Sequence, residues 1–232
     1  MDIIIASDYE EMSDWAHRMV RDEMEQHTRS VLGLATGSTP EGLYERLVED
    51  HQEGGVDFSK TITFNLDEYV DLPPTSEQSY HYFMDDRLFD HINMDPDNIH
   101  LPDGQAENLI QECERYEAAI QRAGGIDLQV LGIGRDGHIG FNEPTTSLQS
   151  RTHIGTLTPE TVEDNARFFG SKDQVPRFAI TMGIQTILNA DHCLLMAYGE
   201  RKAQAVRRAV EGPLTANVTA SALQMHRDAT VL

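Results

Sequence analysis

Short apolar runs alternate along the chain with longer segments whose apolar residues recur every three or four positions. The runs predict strands at Ile3–Ala6, Val31–Ala35, Thr61–Leu66, Leu128–Ile133, Phe178–Met182 and Cys193–Tyr198. Between the first two runs, one helical face carries Met12, Trp15, Ala16, Met19 and Val20. Strands that alternate with helices indicate an α/β fold, a three-layer sandwich around a mostly parallel, doubly wound sheet.

Five later segments have the spacing of apolar residues that is typical of helices: Glu41–Glu49, Tyr80–His91, Asn108–Ala123, Glu200–Glu211 and Ala216–Met225. No internal repeat, low-complexity tract or linker separates them, so we expect a single domain over residues 1–232. Open parallel sheets bind ligands beyond the carboxyl ends of their strands. The residues that follow each predicted strand are therefore the first candidates for function.

The second predicted strand is followed by the loop Thr36-Gly37-Ser38-Thr39 and then by Pro40. Pro40 suits the first position of a helix, and Thr39 suits its N-cap. Free backbone N–H groups at the helix start, assisted by the hydroxyls of Thr36 and Ser38, predict a phosphate site. A plain strand–helix turn with a good cap is the alternative. The loop is not a nucleotide P-loop, because no Gly-Lys-Ser/Thr follows.

Two adjacent acids, Asp67 and Glu68, follow the third predicted strand. Neighbouring side chains of an extended segment point to opposite sides, so one of the two can face the ligand crevice. Either acid could then serve as a general base. In a chain this acidic, an ordinary acidic loop is the simpler explanation on these residues alone.

The turn Leu131–Pro144 is the most informative stretch, because it places Asp136, His138 and Glu143 within eight residues. Carboxylates beside an imidazole fix its tautomer and raise its basicity, which suits acid/base chemistry. The stretch also spells Gly-x-Gly-x-x-Gly, but a glycine and a proline follow too closely for a helix to open there. We therefore predict no nicotinamide cofactor. The three side chains could also ligate a divalent cation, but no fourth ligand is evident and we predict no metal.

Two cations complete the candidate site. Arg167 lies in an Asn-Ala-Arg-Phe-Phe motif, and Lys202 follows the last predicted strand. Most exposed cations only keep a protein dissolved, but Lys202 is one of just three lysines in the chain. Its place at a strand end of so acidic a protein favours an anion-binding role.

The charge balance narrows the range of partners. The chain has 39 acidic residues against 18 basic ones, a formal net charge of −21. This charge disfavours nucleic acid and anionic membranes as partners. Together with the scarcity of lysine it also suggests adaptation to high salt, where screening removes self-repulsion. Two distant cysteines, Cys113 and Cys193, and a start without a basic leader predict a reduced, cytoplasmic protein.

Taken together, these residues resemble the glucosamine-6-phosphate deaminase family. The resemblance rests on motifs that keep the family's order and spacing: Thr36–Pro40, Phe64–Tyr69, Gly134–Pro144, Asn165–Phe169 and Val210–Gly212. It extends from about residue 30 to the C-terminus, and the Asp-Glu-Tyr and Asn-Glu-Pro motifs are specific to that family. It implies a fold of the phosphosugar isomerase and lactonase type. It also implies conversion of glucosamine 6-phosphate to fructose 6-phosphate and ammonia, without a metal or other cofactor.

The resemblance further implies a role for each candidate residue. Asp67 matches the base that enolises the sugar. His138 matches the histidine that opens the sugar ring, with Asp136 and Glu143 in support. The loop at residues 37–39 matches the phosphate contacts.

Two more phosphate contacts of the family match Arg167 and Lys202. The stretch 157–169 resembles the family's mobile lid, so Arg167 would reach the substrate on closure. The expected partner is thus a small phosphosugar.

Two other functions stay open at this point. A 6-phosphogluconolactonase shares the fold, a related Gly-x-Asp-Gly-His turn and a phosphate loop, but needs no base of the Asp67 kind. A non-catalytic sugar-phosphate sensing domain would need a basic DNA-binding module, which this acidic sequence does not contain.

Some members of the family are hexamers that N-acetylglucosamine 6-phosphate activates through a basic pair and a longer C-terminal tail. The matching positions here hold His153 and Gly155, and the sequence ends at Leu232. We therefore expect plain hyperbolic kinetics without such activation. Assembly into a homo-oligomer stays open.

Overall fold

The centre of the protein is a seven-stranded sheet in which every neighbouring pair of strands is parallel; the computed structural model describes all 232 residues. In spatial order the strands are β1 (Asp2–Ile3), β10 (Ala229–Val231), β9 (His192–Leu195), β6 (Leu128–Leu131), β2 (Val31–Leu34), β3 (Ile62–Asn65) and β5 (Ile99–His100). The central strands β2, β3 and β6 are buried at every position, and most of their residues are apolar, as burial on both faces of the sheet favours. The predicted α/β fold with a mostly parallel sheet is confirmed.

A second, smaller sheet is antiparallel and has three strands. Its order is β4 (Asp67–Tyr69), β8 (Phe178–Thr181) and β7 (His153–Thr156). The strand predicted at Phe178–Met182 is present as β8, but it lies in this small sheet rather than in the parallel one; burial makes strands of either sheet equally apolar. The backbone N–H of Met182 donates to the carbonyl of Leu66 at 2.7 Å, which joins the small sheet to the end of β3.

Helices cover the large sheet, and most begin at a polar cap. Their bounds are α1 (Tyr9–Gln26), α2 (Glu41–Gln52), α3 (Tyr80–Arg87), α4 (Leu109–Ala123), α5 (Pro159–Phe169), α6 (Ile184–Leu188) and α7 (Glu200–Val210). Asp8, Asn108 and Thr158 each accept a hydrogen bond from the first turn of the helix that follows. Gly124 closes α4 in a left-handed conformation, φ 105°, that favours glycine.

Two predicted helices differ from those observed. The segment Ala216–Met225 is a 3₁₀ helix over Thr219–Met225, and the segment Tyr80–His91 breaks after α3 into a short 3₁₀ turn. Six elements escaped the pattern: β4, β5, β7, β10, α5 and α6. The strands among them have only two to four residues, too few for a period to emerge.

One continuous hydrophobic core of 46 buried residues surrounds the large sheet, which makes the two faces a single folding unit. A separate cluster of six buried residues lies beside the small sheet: Tyr69, Phe141, Leu157, Val162, Val175 and Ala179. No helix combines the length and the apolar character that a bilayer crossing needs.

Candidate active site

A cavity of about 590 Å³ opens beyond the carboxyl ends of β2, β3 and β6. Eight of the residues singled out from the sequence line it: Thr36, Gly37, Ser38, Thr39, Asp67, His138, Arg167 and Lys202. Asp136 and Glu143 lie behind His138 and reach the cavity only through its ring. The sheet therefore brings segments that are far apart in the chain into one concave site.

The loop after β2 forms one wall and leads into α2. Gly37 has φ 96°, a conformation that favours glycine and turns the loop toward the helix start. The predicted cap at Thr39 was wrong: Pro40 occupies the N-cap position and makes no side-chain cap bond. The phenol oxygen of Tyr9 instead accepts from the Gly42 N–H at 2.8 Å. It also lies 3.0 Å from the Ser38 carbonyl, so α1 holds the loop in place from outside the cavity.

The turn after β6 is folded tightly on itself. The Gly134 N–H donates to the carbonyl of His138 at 2.8 Å, and the Gly137 N–H donates to the carbonyl of Gly134 at 3.0 Å. A Cβ on Gly134 would come within 2.4–2.6 Å of three atoms of the His138 ring. This glycine is therefore required because the imidazole lies directly against the backbone.

His138 places its Nδ1 between two carboxylates. Nδ1 lies 2.8 Å from Oδ1 of Asp136 and 3.3 Å from Oε2 of Glu143. The alignment at Nδ1 and at Glu143 Oε2 falls short of hydrogen-bond geometry, so these are primarily contacts of charge. With Nδ1 committed to the acids, the opposite ring nitrogen, Nε2, is the one available to the cavity.

The two acids determine the protonation state of the imidazole. Burial alone would lower the pKa of His138, but Asp136 and Glu143 outweigh it and raise that pKa to about 9. Burial would raise the pKa of each acid, and the nearby imidazolium more than offsets it and lowers both. At neutral pH the ring thus carries both protons. The cluster of three is suited to moving a proton.

Asp67 also lines the cavity, and it lies in β4 rather than in a loop after β3. Asp67 is 94 % buried and receives no hydrogen bond from the protein. Its strand, β4, pairs with β8. Burial, and then the charge of Glu68, raise the pKa of Asp67 to about 8, with His138 opposing them. A carboxylate that is poorly solvated and points at a ligand cavity has the properties of a general base.

Glu68, the next residue, turns the other way and is fully paired. It accepts from the backbone N–H groups of Tyr69, Tyr80 and His81 at 2.8–3.2 Å, and lies 2.8 Å from Nδ1 of His81. It therefore stabilises the start of α3, where a negative charge is favourable. Of the two adjacent acids, only Asp67 faces the cavity.

The two cations predicted from the sequence, Arg167 and Lys202, also line the cavity. Lys202 donates from Nζ to the carbonyl of Ile133 at 2.5 Å. Burial lowers the pKa of Lys202; Asp164 opposes the shift, while Arg135 and Arg167 add to it. Arg167 lies on α5 with its guanidinium 4.6 Å from the centre of the Phe168 ring. The cations are thus close enough to interact, as a site for a doubly charged anion requires.

Sequence reasoning missed an aromatic wall built around Tyr69. Its ring packs against those of Tyr80, Phe141 and Phe169 at 4.9–5.5 Å, and its hydroxyl accepts from Nδ2 of Asn165 at 2.9 Å. Tyr69 and Asn165 both stand in motifs that carried the family resemblance, so the signal was present. The sequence did not indicate that the motif of Tyr69 and the motif of Asn165 contact each other.

The comparisons with known proteins agree on one family. The family model described as glucosamine-6-phosphate isomerases/6-phosphogluconolactonase matches residues 7–232. A glucosamine-6-phosphate deaminase of Shewanella loihica is 54% identical over 232 residues, which are 100% of this chain and 87% of the relative. The corresponding enzyme of a Thermoanaerobacter species is 50% identical over 100% of this chain and 92% of its own.

Solved structures give the same result at two levels of similarity. A structure described as a monomeric glucosamine-6-phosphate deaminase superposes with a TM-score of 0.98 at 48% identity, over 100% of this chain and 96% of the other. The 6-phosphogluconolactonase of Thermotoga maritima superposes with a TM-score of 0.77 at 20% identity, over 99% of this chain and 97% of the other. The second similarity concerns the fold alone.

Proposed function

The chain belongs to the glucosamine-6-phosphate isomerase/6-phosphogluconolactonase family, and from that premise we propose that it is an enzyme that converts glucosamine 6-phosphate to fructose 6-phosphate and ammonia. The relatives that share about half of its residues carry the name of this activity. The reaction isomerises the sugar and releases its amine, so it is closer to an isomerase than to a plain hydrolase.

One observation carries the proposal: an unpaired carboxylate, Asp67, and an imidazole held by two acids, His138, line the same cavity as an anion loop. An aldose–ketose isomerisation needs a base for a C–H proton, a second group for the hydroxyl protons and a handle for the phosphate. The three parts come from three separate segments of the chain, and the cavity joins them.

Ring opening is the task we assign to His138. The closed sugar must lose the proton of its C1 hydroxyl and gain one on the ring oxygen before the C2 proton becomes acidic. A single imidazole can exchange these protons through Nε2 while Asp136 and Glu143 hold Nδ1. The acids thus act as positioning groups that keep the ring oriented and charged.

Enolisation is the task we assign to Asp67. In the open sugar, Asp67 takes the proton from C2, the C2–H electron pair forms the C1=C2 double bond, and the carbonyl oxygen at C1 takes a proton from His138 to complete the enol. Asp67 then returns the proton to C1, which leaves an imine at C2. Addition of water to that carbon returns one proton to His138, expels ammonia and leaves the ketone of fructose 6-phosphate.

The phosphate serves as a remote handle. We assign it to the Gly37-Ser38-Thr39 loop with the Thr36 hydroxyl, and to Arg167 and Lys202. Binding energy gained there fixes the reacting carbons between Asp67 and His138. These local donors also have to overcome the long-range repulsion that a chain at −21 exerts on an anion.

The lactonase is the alternative with the same fold. It is disfavoured because the lactonase structure shares only 20% of residues, whereas the deaminases share about half. A lactone hydrolysis also has no use for the base Asp67.

The direct experiment incubates the purified protein with glucosamine 6-phosphate and measures ammonia and fructose 6-phosphate in equal amounts. A second arm offers 6-phosphogluconolactone and corrects for its spontaneous hydrolysis. Equal release of both products with the first substrate supports the proposal. Lactone hydrolysis alone would assign the chain to the other branch of the family.

The cellular location and the assembly state are part of the same proposal. A phosphosugar substrate and two free, buried cysteines are consistent with a cytoplasmic enzyme. Its assembly state stays a prediction; the related deaminase structure is described as monomeric.

A further inference from the structure

Arg135 stands within the Gly134–Pro144 motif, in the turn after β6, but the proposed chemistry gives it no role. It lies between Gly134, which supports the His138 ring, and Asp136, which holds Nδ1 of that ring. Its side chain leaves the turn and crosses to α5. We define residues 159–169, the helix α5, as the lid helix.

The contact with the lid helix is bidentate. Nε of Arg135 donates to Oδ2 of Asp164 at 2.8 Å, and Nη2 donates to Oδ1 at 2.6 Å. Nη2 also lies 3.5 Å from Oε1 of Glu160, one helical turn earlier. A planar guanidinium that meets both oxygens of a carboxylate fixes orientation as well as distance, which a lysine at this place would not do.

The two ends of this contact differ in how firmly they are held. The turn is tied to the body of the protein, because Ile139 N–H donates to Thr219 Oγ1 and Phe141 N–H to Thr181 Oγ1. The lid helix has few such polar ties of its own, and its apolar contacts run through Val162 and Phe169 to the small cluster around Tyr69. Its polar contacts to the body are those of Arg135, of Asn165 with Tyr69, and of Glu143 with the residues at its start.

The pair also controls charge at the phosphate end of the cavity. Asp164 lines the cavity and precedes Arg167 by three residues, so both stand on one face of the lid helix. Left unpaired, the Asp164 carboxylate would repel a phosphate there. The bidentate contact neutralises the Asp164 carboxylate. It also fixes the position of the lid helix, which carries Arg167, relative to the turn.

We propose that Arg135 is a positioning residue that ties the lid helix to the catalytic turn through Asp164 and Glu160, and thereby holds Arg167 over the phosphate end of the cavity. The consequence for turnover rests on the proposed function, but the tie itself does not. It couples two parts of the site: the turn that carries the acid/base histidine and the helix that carries a phosphate contact.

The test is a double-mutant cycle on the ligand-free full-length protein. Hydrogen exchange of the lid-helix amides is compared among the wild type, Arg135→Gln, Asp164→Asn and the double variant. We expect each single variant to speed exchange several-fold and the double variant to exchange no faster than either, because each change breaks the same contact. Lys172→Gln is the matched control: it breaks the exposed 2.8 Å contact with Glu163 on the same helix without touching the turn.

Kinetics supply the second readout. Arg135→Gln is expected to raise KM for glucosamine 6-phosphate by about two- to fivefold with kcat nearly unchanged, the range for a partly exposed ion pair. Additive effects in the exchange cycle, or lid exchange in Arg135→Gln equal to that of Lys172→Gln, would overturn the proposal. A raised KM without faster lid exchange would place Arg135 on the phosphate itself and would also overturn it. If the wild type releases no ammonia, the proposed function is wrong. The hydrogen-exchange cycle still tests whether Arg135 holds the lid helix through Asp164.

Discussion

Asp67 and Glu68 are neighbours in the chain, but their carboxylates have opposite surroundings. Asp67 faces the cavity without a hydrogen-bond donor, whereas Glu68 accepts from three backbone N–H groups and contacts His81. The alternation of side chains along β4 produces this contrast. One acid is left reactive at a cost in stability, and the other stabilises the fold.

Asp67→Asn is expected to reduce kcat by roughly 10²–10⁴-fold, because the amide cannot take the C2 proton. Binding of the substrate should persist, since the phosphate contacts are untouched. Steady-state ammonia release, together with calorimetric binding of glucosamine 6-phosphate to the variant, checks both statements. Near-wild-type turnover would remove Asp67 from the role of enolising base.

The same variant is expected to be more stable than the wild type at alkaline pH. The pKa of Asp67 is raised from its ordinary 3.8 to about 8 in the folded protein, so the folded state binds more protons than the unfolded state between these values. Stability of the wild type therefore falls as the pH rises through that interval. Urea unfolding at pH 5, 7 and 9 should show an advantage of Asp67→Asn that grows with pH. Glu68→Gln should instead lower the free energy of unfolding by about 1–3 kcal/mol at pH 7.

The pH dependence of kcat/KM should be bell-shaped with its maximum between about 8 and 9. Activity rises as Asp67 loses its proton near 8 and falls as His138 loses its own near 9. Because the two groups influence each other, the limbs belong to the pair rather than to either residue. Removal of the alkaline limb in His138→Gln, measured on its residual activity, would support the assignment. A limb that stays unchanged would contradict it.

Gly134→Ala is expected to reduce kcat more than it raises KM. The added methyl would lie within 2.4–2.6 Å of the His138 ring and push the imidazole away from its acids. Gly132→Ala is the matched control, because a Cβ there meets nothing within 4 Å. Equal kcat values for the two variants would show that the ring tolerates displacement.

Lys202→Ala is expected to raise KM for glucosamine 6-phosphate by about tenfold or more, since hydrogen bonds to charged groups contribute about 1.5–3 kcal/mol. Its thermal unfolding should change little, because the main partner lost is one backbone carbonyl. Lys172→Ala, which removes an exposed lysine outside the cavity, serves as the control for net charge. Unchanged kinetics in Lys202→Ala would remove this residue from the phosphate site.

The rate is expected to depend hyperbolically on substrate concentration, with no activation by N-acetylglucosamine 6-phosphate. At the positions of the family's basic pair, His153 contacts the Arg151 carbonyl, and Gly155 has no side chain. Arg151 itself points to Glu117. A sigmoidal curve that the acetylated sugar phosphate renders hyperbolic would contradict this expectation.

Much of the fold and of the site could be predicted from the sequence, because both follow from local patterns. The buried parallel strands are apolar at nearly every position, and the segments after them carry the polar side chains that line the cavity. The short strands β5 and β10 were not predicted, because two or three residues are too few to show a local pattern. Their pairing partners also lie far away in the chain.

Contacts between distant segments could not be predicted from the pattern of apolar and polar residues along the chain. The cap of α2 comes from Tyr9 on another helix rather than from Thr39 next to it. The tie between Arg135 and Asp164 joins residues 29 positions apart, both of which look like ordinary surface charges in the sequence. Such contacts depend on the distance between elements, which only the assembled fold determines.

Asp67 belongs to the small antiparallel sheet, whereas the loop after β2 and the histidine turn after β6 follow strands of the large parallel one. On the roles proposed above, the enolising base and the phosphate loop reside on separate scaffolds, so in evolutionary terms the site is modular. After gene duplication, a single substitution in β4 could abolish the reaction in one copy while that protein still binds the same sugar. A descendant of that kind would be a ready starting point for a metabolite sensor.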